Sequence, residues 1–532
     1  MVVKRRVNRK KLALAIGMAL AMGSVQADFP ATLELSTLDG SNGIAINGVS
    51  ADDYSGRSVS AAGDINGDGF DDLAIGAPYA SPNGDYSGSS YVVFGSDQGF
   101  TNPLNLSGLN GTNGFVINGI NAGDFSGQSV SSAGDINGDG FDDLVIGAPY
   151  ASPNGNYSGS SYVVFGSDQG FTSPLNLSGL NGTNGFVING EGSLEYSGNS
   201  VNAAGDVNGD GFDDLIIGAD GAGPVYNYSG VSYVVFGSDQ GFTSPLELSS
   251  LDGTNGFKIY GAEAYDSSGS AVSAAGDING DGIDDVIIGA PNASRVSGYS
   301  GASFVVFGSD QGLSNPLDLA DLDGNNGFAI YGAAELDFSG ISVNDAGDFN
   351  SDGFDDVIIG ARDADPNGAD SGASYVVFGT DQGLANPLNL SGLNSSNGQV
   401  INGVNAGDYS GSSVNSAGDI NGDGISDVII GAPEASPNGS YSGTSYVVFG
   451  ANAGLSSPLN LSTLDGNNGF AINGIDANDT SGNSVSGAGD INADGIDDFV
   501  IGAKGVSPNG ASYLVFGRSD QTEDFIFSDG FE

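Results

Sequence analysis

The 532-residue sequence has no cysteine, no histidine and no tryptophan. Without cysteine there can be no disulfide, thiolate metal site, cysteine nucleophile or lipid anchor through an N-terminal cysteine. Without histidine there is no Ser–His–Asp triad, and a zinc hydrolase centre of the usual kind has no imidazole ligands. Basic residues are scarce, with 12 Lys and Arg against 65 Asp and Glu. Six of the twelve lie in the first 27 residues, which hold no acid, so the remainder carries six bases against 65 acids. Such a polyanion repels nucleic acid and anionic membranes, so neither is expected as a partner, and it calls for counter-cations.

Long apolar runs are also missing. Lys4, Arg5, Arg6, Arg9, Lys10 and Lys11 precede a short apolar stretch from Leu12 to Met22, and Val25-Gln26-Ala27 places small residues at a cleavage site. This pattern predicts a signal peptide over 1–27, cleaved near Ala27, and hence a secreted or cell-surface protein. A membrane span needs about 20 apolar residues, and no stretch supplies them. Export without disulfides leaves stability to core burial, ring closure and bound ions.

What the sequence has is a repeat. Asp-x-Asn-x-Asp-Gly-x-x-Asp begins at Asp64, Asp135, Asp206, Asp277, Asp348, Asp419 and Asp490, each 71 residues after the last. Aromatic-Ser-Gly keeps the same step from Tyr54-Ser55-Gly56, with Ser267 and Thr480 replacing the aromatic in the fourth and seventh copies. Gly-Ala-Pro recurs from 76–78, its proline replaced by Asp220, Arg362 and Lys504 in three copies. Each copy reads as four strands. In the second these are the small-residue run Ser129 to Ala133, the apolar Leu144-Val145-Ile146, the aromatic and β-branched Tyr162 to Phe165, and an outer strand such as Phe115 to Gly119. Gly, Asn, Ser and Pro fill the connections, and no helical period is visible.

The fold class is therefore all-β: a seven-bladed propeller of four-stranded antiparallel blades over 28–517. The outer-strand pattern at about 42–48 comes before the first loop, and the last copy stops after Tyr513 to Gly517 without one. The N-terminal strand is thus expected to complete the last blade and close the ring, leaving no open sheet edge. The final copy is four residues shorter between its second and third strands. Residues 518–532 leave the repeat and form a C-terminal tail, either a sorting signal or a frayed end.

The nine-residue loops present hard oxygen donors. Acids stand at positions 1, 5 and 9, an asparagine at 3, and a backbone carbonyl is available at 7. The candidate ligands are Asp64, Asn66, Asp68, Phe70 and Asp72; Asp135, Asn137, Asp139, Phe141 and Asp143; Asp206, Asn208, Asp210, Phe212 and Asp214; and Asp277, Asn279, Asp281, Ile283 and Asp285. The last three loops give Asp348, Asn350, Asp352, Phe354 and Asp356; Asp419, Asn421, Asp423, Ile425 and Asp427; and Asp490, Asn492, Asp494, Ile496 and Asp498. This donor set suits Ca²⁺, which takes six to eight oxygens. Glycine at position 6 in all seven copies lets the chain wrap back. An EF-hand is excluded, because its bidentate Glu at position 12 is Ile75 here. The Phe or Ile at position 7 is expected to put its side chain into the core. The rival reading is that Asp, Asn and Gly simply make turns.

The run from aromatic-Ser-Gly through Gly-Asp-Ile-Asn-Gly-Asp-Gly-Phe-Asp-Asp-Leu to Ile-Gly-Ala-Pro resembles the FG-GAP repeat of integrin α-chain propellers and their secreted bacterial relatives. The resemblance covers roughly 42–517 and implies a propeller whose loops between first and second strands bind Ca²⁺, with up to seven ions here. It implies extracellular recognition or adhesion, with a protein or glycan ligand; with no His or Cys and no asymmetric acidic cluster, no catalytic residue is assigned. An extracellular hydrolase or lyase, or a purely structural envelope protein, are the alternatives, since fold does not fix function. In up-and-down blades the 2–3 and 4–1 connections share the face away from the acidic loops, and these connections differ most between copies. Tyr226, Arg295 and Arg362 stand out there as ligand-face candidates over blades three to five.

Overall fold

A computed structural model describes residues 29–223, 227–452 and 455–518. The expected signal peptide and nearly all of the tail lie outside these residues. The remainder forms seven sheets, each an antiparallel meander. In the first blade the strands are Ser58–Gly63, Asp72–Ala77, Ser89–Val93 and Gly114–Asn118. The second strand of every blade is buried throughout, as its unbroken apolar pattern requires when sheets cover both faces.

The innermost strands meet around the axis, where small side chains are needed for a further reason. The hydroxyl of Ser58 accepts from the Val130 amide of the next blade at 3.1 Å. Ser129, Ser200, Ser342, Ser413 and Ser484 repeat this bond from blade to blade, and Ser484 joins the seventh to the first through Val59 at 3.1 Å. The core is divided into seven parts, each between adjacent blades. One joins Ile65, Val92 and Phe115 of blade one to Val130, Leu144 and Ile146 of blade two.

Ring closure follows the sequence expectation. Gly43–Asn47 pairs antiparallel with Ala511–Val515 as the fourth strand of the last blade. Ile44 and Ile46 are fully buried in the interface between blades seven and one. The 2–3 connection of that blade spans 504–510, against 78–88 in the first, so the missing residues come from a loop.

The blades carry one strand more than the four expected. A two-residue strand joins the outer edge of each meander in parallel, and it comes from the next blade's 3–4 connection. Leu175–Asn176 of blade two thus pairs with Ile117 and Asn118 of blade one. A single 3-10 turn follows each, carrying a buried leucine such as Leu106 or Leu177. In blade six the N-terminal Thr32–Glu34 takes this place. The Glu34 carboxylate there accepts from the side-chain amides of Asn438 and Asn473, both at 2.8 Å. Phe29 stacks on Phe470 at 4.6 Å, and the Arg518 guanidinium lies 4.7 Å above the Phe29 ring, so both ends of the described chain are fastened to one blade.

Because the closing interface is built like the others, Ile46→Ala and the equivalent Ile117→Ala inside the ring should cost the same. Each should lose about 2–5 kcal/mol in denaturant unfolding. A markedly cheaper Ile46→Ala would mean that the closing strand is only loosely docked.

Candidate functional site

The seven acidic loops join the first strand of a blade to its second, all on one face of the ring. Position 1 turns the loop. The Asp64 carboxylate accepts from the amides of Asp68 at 3.0 Å and Gly69 at 2.9 Å. Position 6 adopts the left-handed backbone expected of it, with φ of +95° at Gly69 and +97° at Gly140. The position-5 carboxylate of Asp68 is exposed, and it accepts from the Phe70 amide at 3.1 Å. Position 7 departs from expectation. Phe70, Phe141 and Phe212 are only half-buried, and the Phe141 and Phe212 rings lie over Gly67 and Gly138 of the preceding loops rather than entering the core.

Position 9 is the buried acid: Asp72, Asp143, Asp214, Asp285, Asp356, Asp427 and Asp498 are all fully covered. One oxygen of each accepts from a glycine amide at the exit of the third strand, from Gly95 at 2.8 Å through Gly517 at 2.9 Å. Burial, with the charges of positions 5 and 1 adding to it, pushes six of these carboxyls up to about 8. Asp427 is raised in the same way. The asparagine at position 3 turns its amide nitrogen toward this acid in five loops, as in Asn66 to Asp72 at 3.3 Å.

Position 8, absent from the expected set, proves to join neighbouring blades. Asp142 accepts from the Asp64 amide of the preceding blade at 2.8 Å, and Asp213, Asp284, Asp355, Asp497 and Asp71 repeat the bond. Serine stands at this place in blade six, as Ser426. The Asp-Asp pair ending six of the seven loops was the available signal.

Whether these loops suit a cation turns on their donors. Every side-chain donor named is a hard oxygen. Two loop oxygens, Asn350 Oδ1 and Asp498 Oδ2, are buried without a hydrogen-bond partner. Unpaired buried polar atoms of this kind are costly, so they point to a missing partner. Among the described residues no three acids are drawn together as a formed ion site. The donor chemistry thus fits a hard divalent cation, while the side chains stand in a self-bonded arrangement.

The opposite face is aromatic. Tyr79, Tyr86, Tyr150, Tyr157, Tyr228, Tyr265, Tyr299 and Tyr441 project from the 2–3 and 4–1 connections and are exposed. Of the residues expected here, Tyr226 lies outside the described residues. Arg295 is only 8% exposed and is ion-paired to Glu263 and Asp266. Burial pushes Asp266 up to about 6 against the pull of that arginine. Arg362 is 47% exposed, with its Nε 3.1 Å from Asp363. It lines an axial cavity that the first residues of all seven inner strands also line.

Fold and loops together define a class of seven-bladed β-propeller, seven sheets around an axis with an acidic loop at the same corner of each. The chain belongs to the FG-GAP repeat family, whose model matches residues 55–93, 126–164, 197–235, 268–306, 342–377, 410–448 and 481–515. It is 30% identical over 280 residues to integrin alpha-PS2 of Drosophila melanogaster, covering 52% of this chain and 18% of that protein. It is 28% identical over 318 residues to the phosphatidylinositol-glycan-specific phospholipase D of Dictyostelium discoideum, covering 57% of this chain and 31% of that one. The bovine protein of the same name is 35% identical over 188 residues, covering 34% of this chain and 21% of its own length. The chain therefore spans less than a third of the length of these relatives.

Inner-strand Asp345 offers a direct test of the electrostatics. Blades two and six have Ser132 and Ser416 at its place. Burial first, then the charges of Asp355 and Asp284, push its carboxyl up to about 7. An acid raised in the fold keeps a proton that the unfolded chain releases, so folding loses stability as pH rises from roughly 4 to 7. Asp345→Ser should therefore raise the melting temperature at about pH 8 and change it little near pH 4. An equal gain at both would assign the effect to packing instead.

Proposed function

We propose that this protein is a secreted, calcium-loaded recognition module: a rigid ring stabilised by up to seven Ca²⁺ on one face and presenting a ligand surface on the other. The observation that carries this reading is the sevenfold recurrence of one hard-oxygen donor set in a chain with almost no basic residues to neutralise it. The residues at positions 1, 3, 5 and 9 and the carbonyl at 7 would hold the ion. Bound there, Ca²⁺ supplies charge neutralisation and cross-links the start of the second strand to the loop before it. The 1–27 segment supports export, and the tail beyond 517 would serve as a sorting signal.

A binding role is favoured over an enzymatic one by what the relatives have in common. An integrin and a phospholipase D differ in activity, and each shares only a minor part of its length with this chain. A common propeller is better suited to scaffolding and recognition than to either activity. The acids also recur with the repeat, whereas a catalytic centre is a single asymmetric cluster. The ligand is an extracellular protein or glycan, with no nucleic acid and no membrane span involved. Among the described residues no helix is long and apolar enough to cross a bilayer.

Elemental analysis of protein equilibrated in millimolar Ca²⁺ should find about seven ions per chain, and fewer than about four would overturn working sites in all loops. Ions that bind only the folded ring stabilise it by mass action, so chelation should lower the melting temperature. Two single variants separate ligand from scaffold. Asp139→Ala, at position 5, should destabilise the Ca²⁺-loaded protein and leave the chelated one nearly unchanged. Asp142→Ala, at position 8, should cost about 1–3 kcal/mol in both, because it leaves the Asp64 amide without its acceptor. Identical behaviour of the two variants would count against calcium loading.

A further inference from the structure

Only six basic residues follow the first 27, and their placement is uneven. Lys258 and Arg295 are held by carboxylates, and Arg518 lies over Phe29. The other three, Arg57, Arg362 and Lys504, come from blades one, five and seven and line one cavity of about 560 Å³ at the axis. This is the end of the ring opposite the acidic loops, since the cavity is lined by the residues that begin the inner strands. Among the described residues, Arg57 and Lys504 have no ion-pair partner. Asn483 ties them together, accepting from the Lys504 ammonium and donating to the Arg57 carbonyl at 3.0 Å. Burial and the nearby Arg57 charge hold the Lys504 amine down to about 8. Asp363 and Glu434 share the cavity, which leaves three positive groups against two negative ones in a chain of overwhelming negative charge.

A second cavity, of about 860 Å³, opens between blades one and two and shares Arg57 and Gln128 with the axial one. Aromatic rings flank it. Phe125 lies 5.1 Å from both Tyr79 and Tyr150, Tyr150 lies 5.5 Å from Tyr157, and the ribbon continues to Tyr196 at 5.6 Å. Phe125, Tyr157 and Tyr196 hold left-handed backbone, with φ of 54°, 55° and 55°, a conformation costly for bulky residues. The same left-handed turn recurs around the ring, at Tyr54, Tyr228, Tyr299 and Tyr409, so it belongs to the repeat. Asn121, Gln128, Asn189 and the acid Asp124 line the same groove, the Asn121 amide donating to Asp124 at 3.2 Å and the Asn189 amide to Glu247 at 2.9 Å.

We propose that this groove and the axial mouth together bind an acidic polysaccharide, its sugar rings lying on the aromatic ribbon and its carboxylate or sulfate groups reaching Arg57, Arg362 and Lys504. This rests on the reading of this face as the recognition face, and it moves the centre of binding from blades three to five toward blade one. Sugars offer an apolar C–H face to a ring and hydroxyls to amides, which matches a groove that pairs aromatics with polar groups. Rings repeated from blade to blade suit a polymer with a repeated unit. Guanidinium groups match carboxylate and sulfate geometry, and bases confined to one mouth direct an anion there in spite of the net charge.

The test is calorimetric titration with hyaluronan and heparan sulfate oligosaccharides against neutral dextran, in millimolar Ca²⁺ throughout. Acidic oligosaccharides should bind in a salt-sensitive manner and dextran should not. Arg57→Gln copies the residue of blade two, and with Arg362→Ala it should weaken binding about tenfold or more for each lost charged contact. Tyr150→Ala should weaken it as well, with melting temperatures unchanged in all three. No binding of either acidic polymer, equal binding of dextran, or full binding by the Arg57→Gln/Arg362→Ala double variant would overturn the proposal. A protein ligand lost in Tyr150→Ala but indifferent to the arginine changes would overturn the glycan and leave the recognition face standing. A ligand lost only through changes at the acidic loops of a folded protein would remove both.

Discussion

Everything in this molecule depends on the packing of sheet against sheet around a closed circle. A blade's second strand is buried on both faces, so no blade has a finished core by itself; each core is made of halves from two neighbours. Opening one interface would expose the apolar faces of two blades at once. The N-terminal Gly43–Asn47 therefore does more than fill a gap, because it supplies Ile44 and Ile46 to the interface between the last blade and the first. The two-residue outer strands work in the same sense. Each is lent by one blade to its predecessor, so the ring is latched at its rim as well as bonded at its centre.

Aspartate is used in this frame for several purposes that one motif conceals. The acid at position 1 folds the loop, that at position 8 grips the neighbouring blade, and that at position 9 joins second strand to third. The scaffold is thus partly made of carboxylates, and burying them without counter-charge is costly. The two faces differ in their bases and rings. Acids stand on both faces, as Asp53, Asp124 and Asp337 show opposite the loops, but among the described residues the bases at the axial mouth and the exposed rings are found only at that other end.

The sequence by itself determined the number of blades, the order of strands and the way the ring closes, because a fixed period of 71 residues carries all three. It also determined which loops are rich in oxygen donors. Only the tertiary structure decided what depends on contacts between copies. A two-residue strand such as Leu104–Asn105 has no period to read, and its partner Asn47 lies 58 residues upstream, so the repeated Pro-Leu-x-Leu passed as connection. Asp71 and Asp72 are chemically alike and adjacent, and only their opposite directions send one to the preceding blade and the other inward. Arg295 and Arg362 look equivalent as rare bases in variable loops. One is closed off by Glu263 and Asp266, and the other meets Arg57 and Lys504 at the axis. Residues 57, 362 and 504 become neighbours only once seven sheets have been bent into a circle.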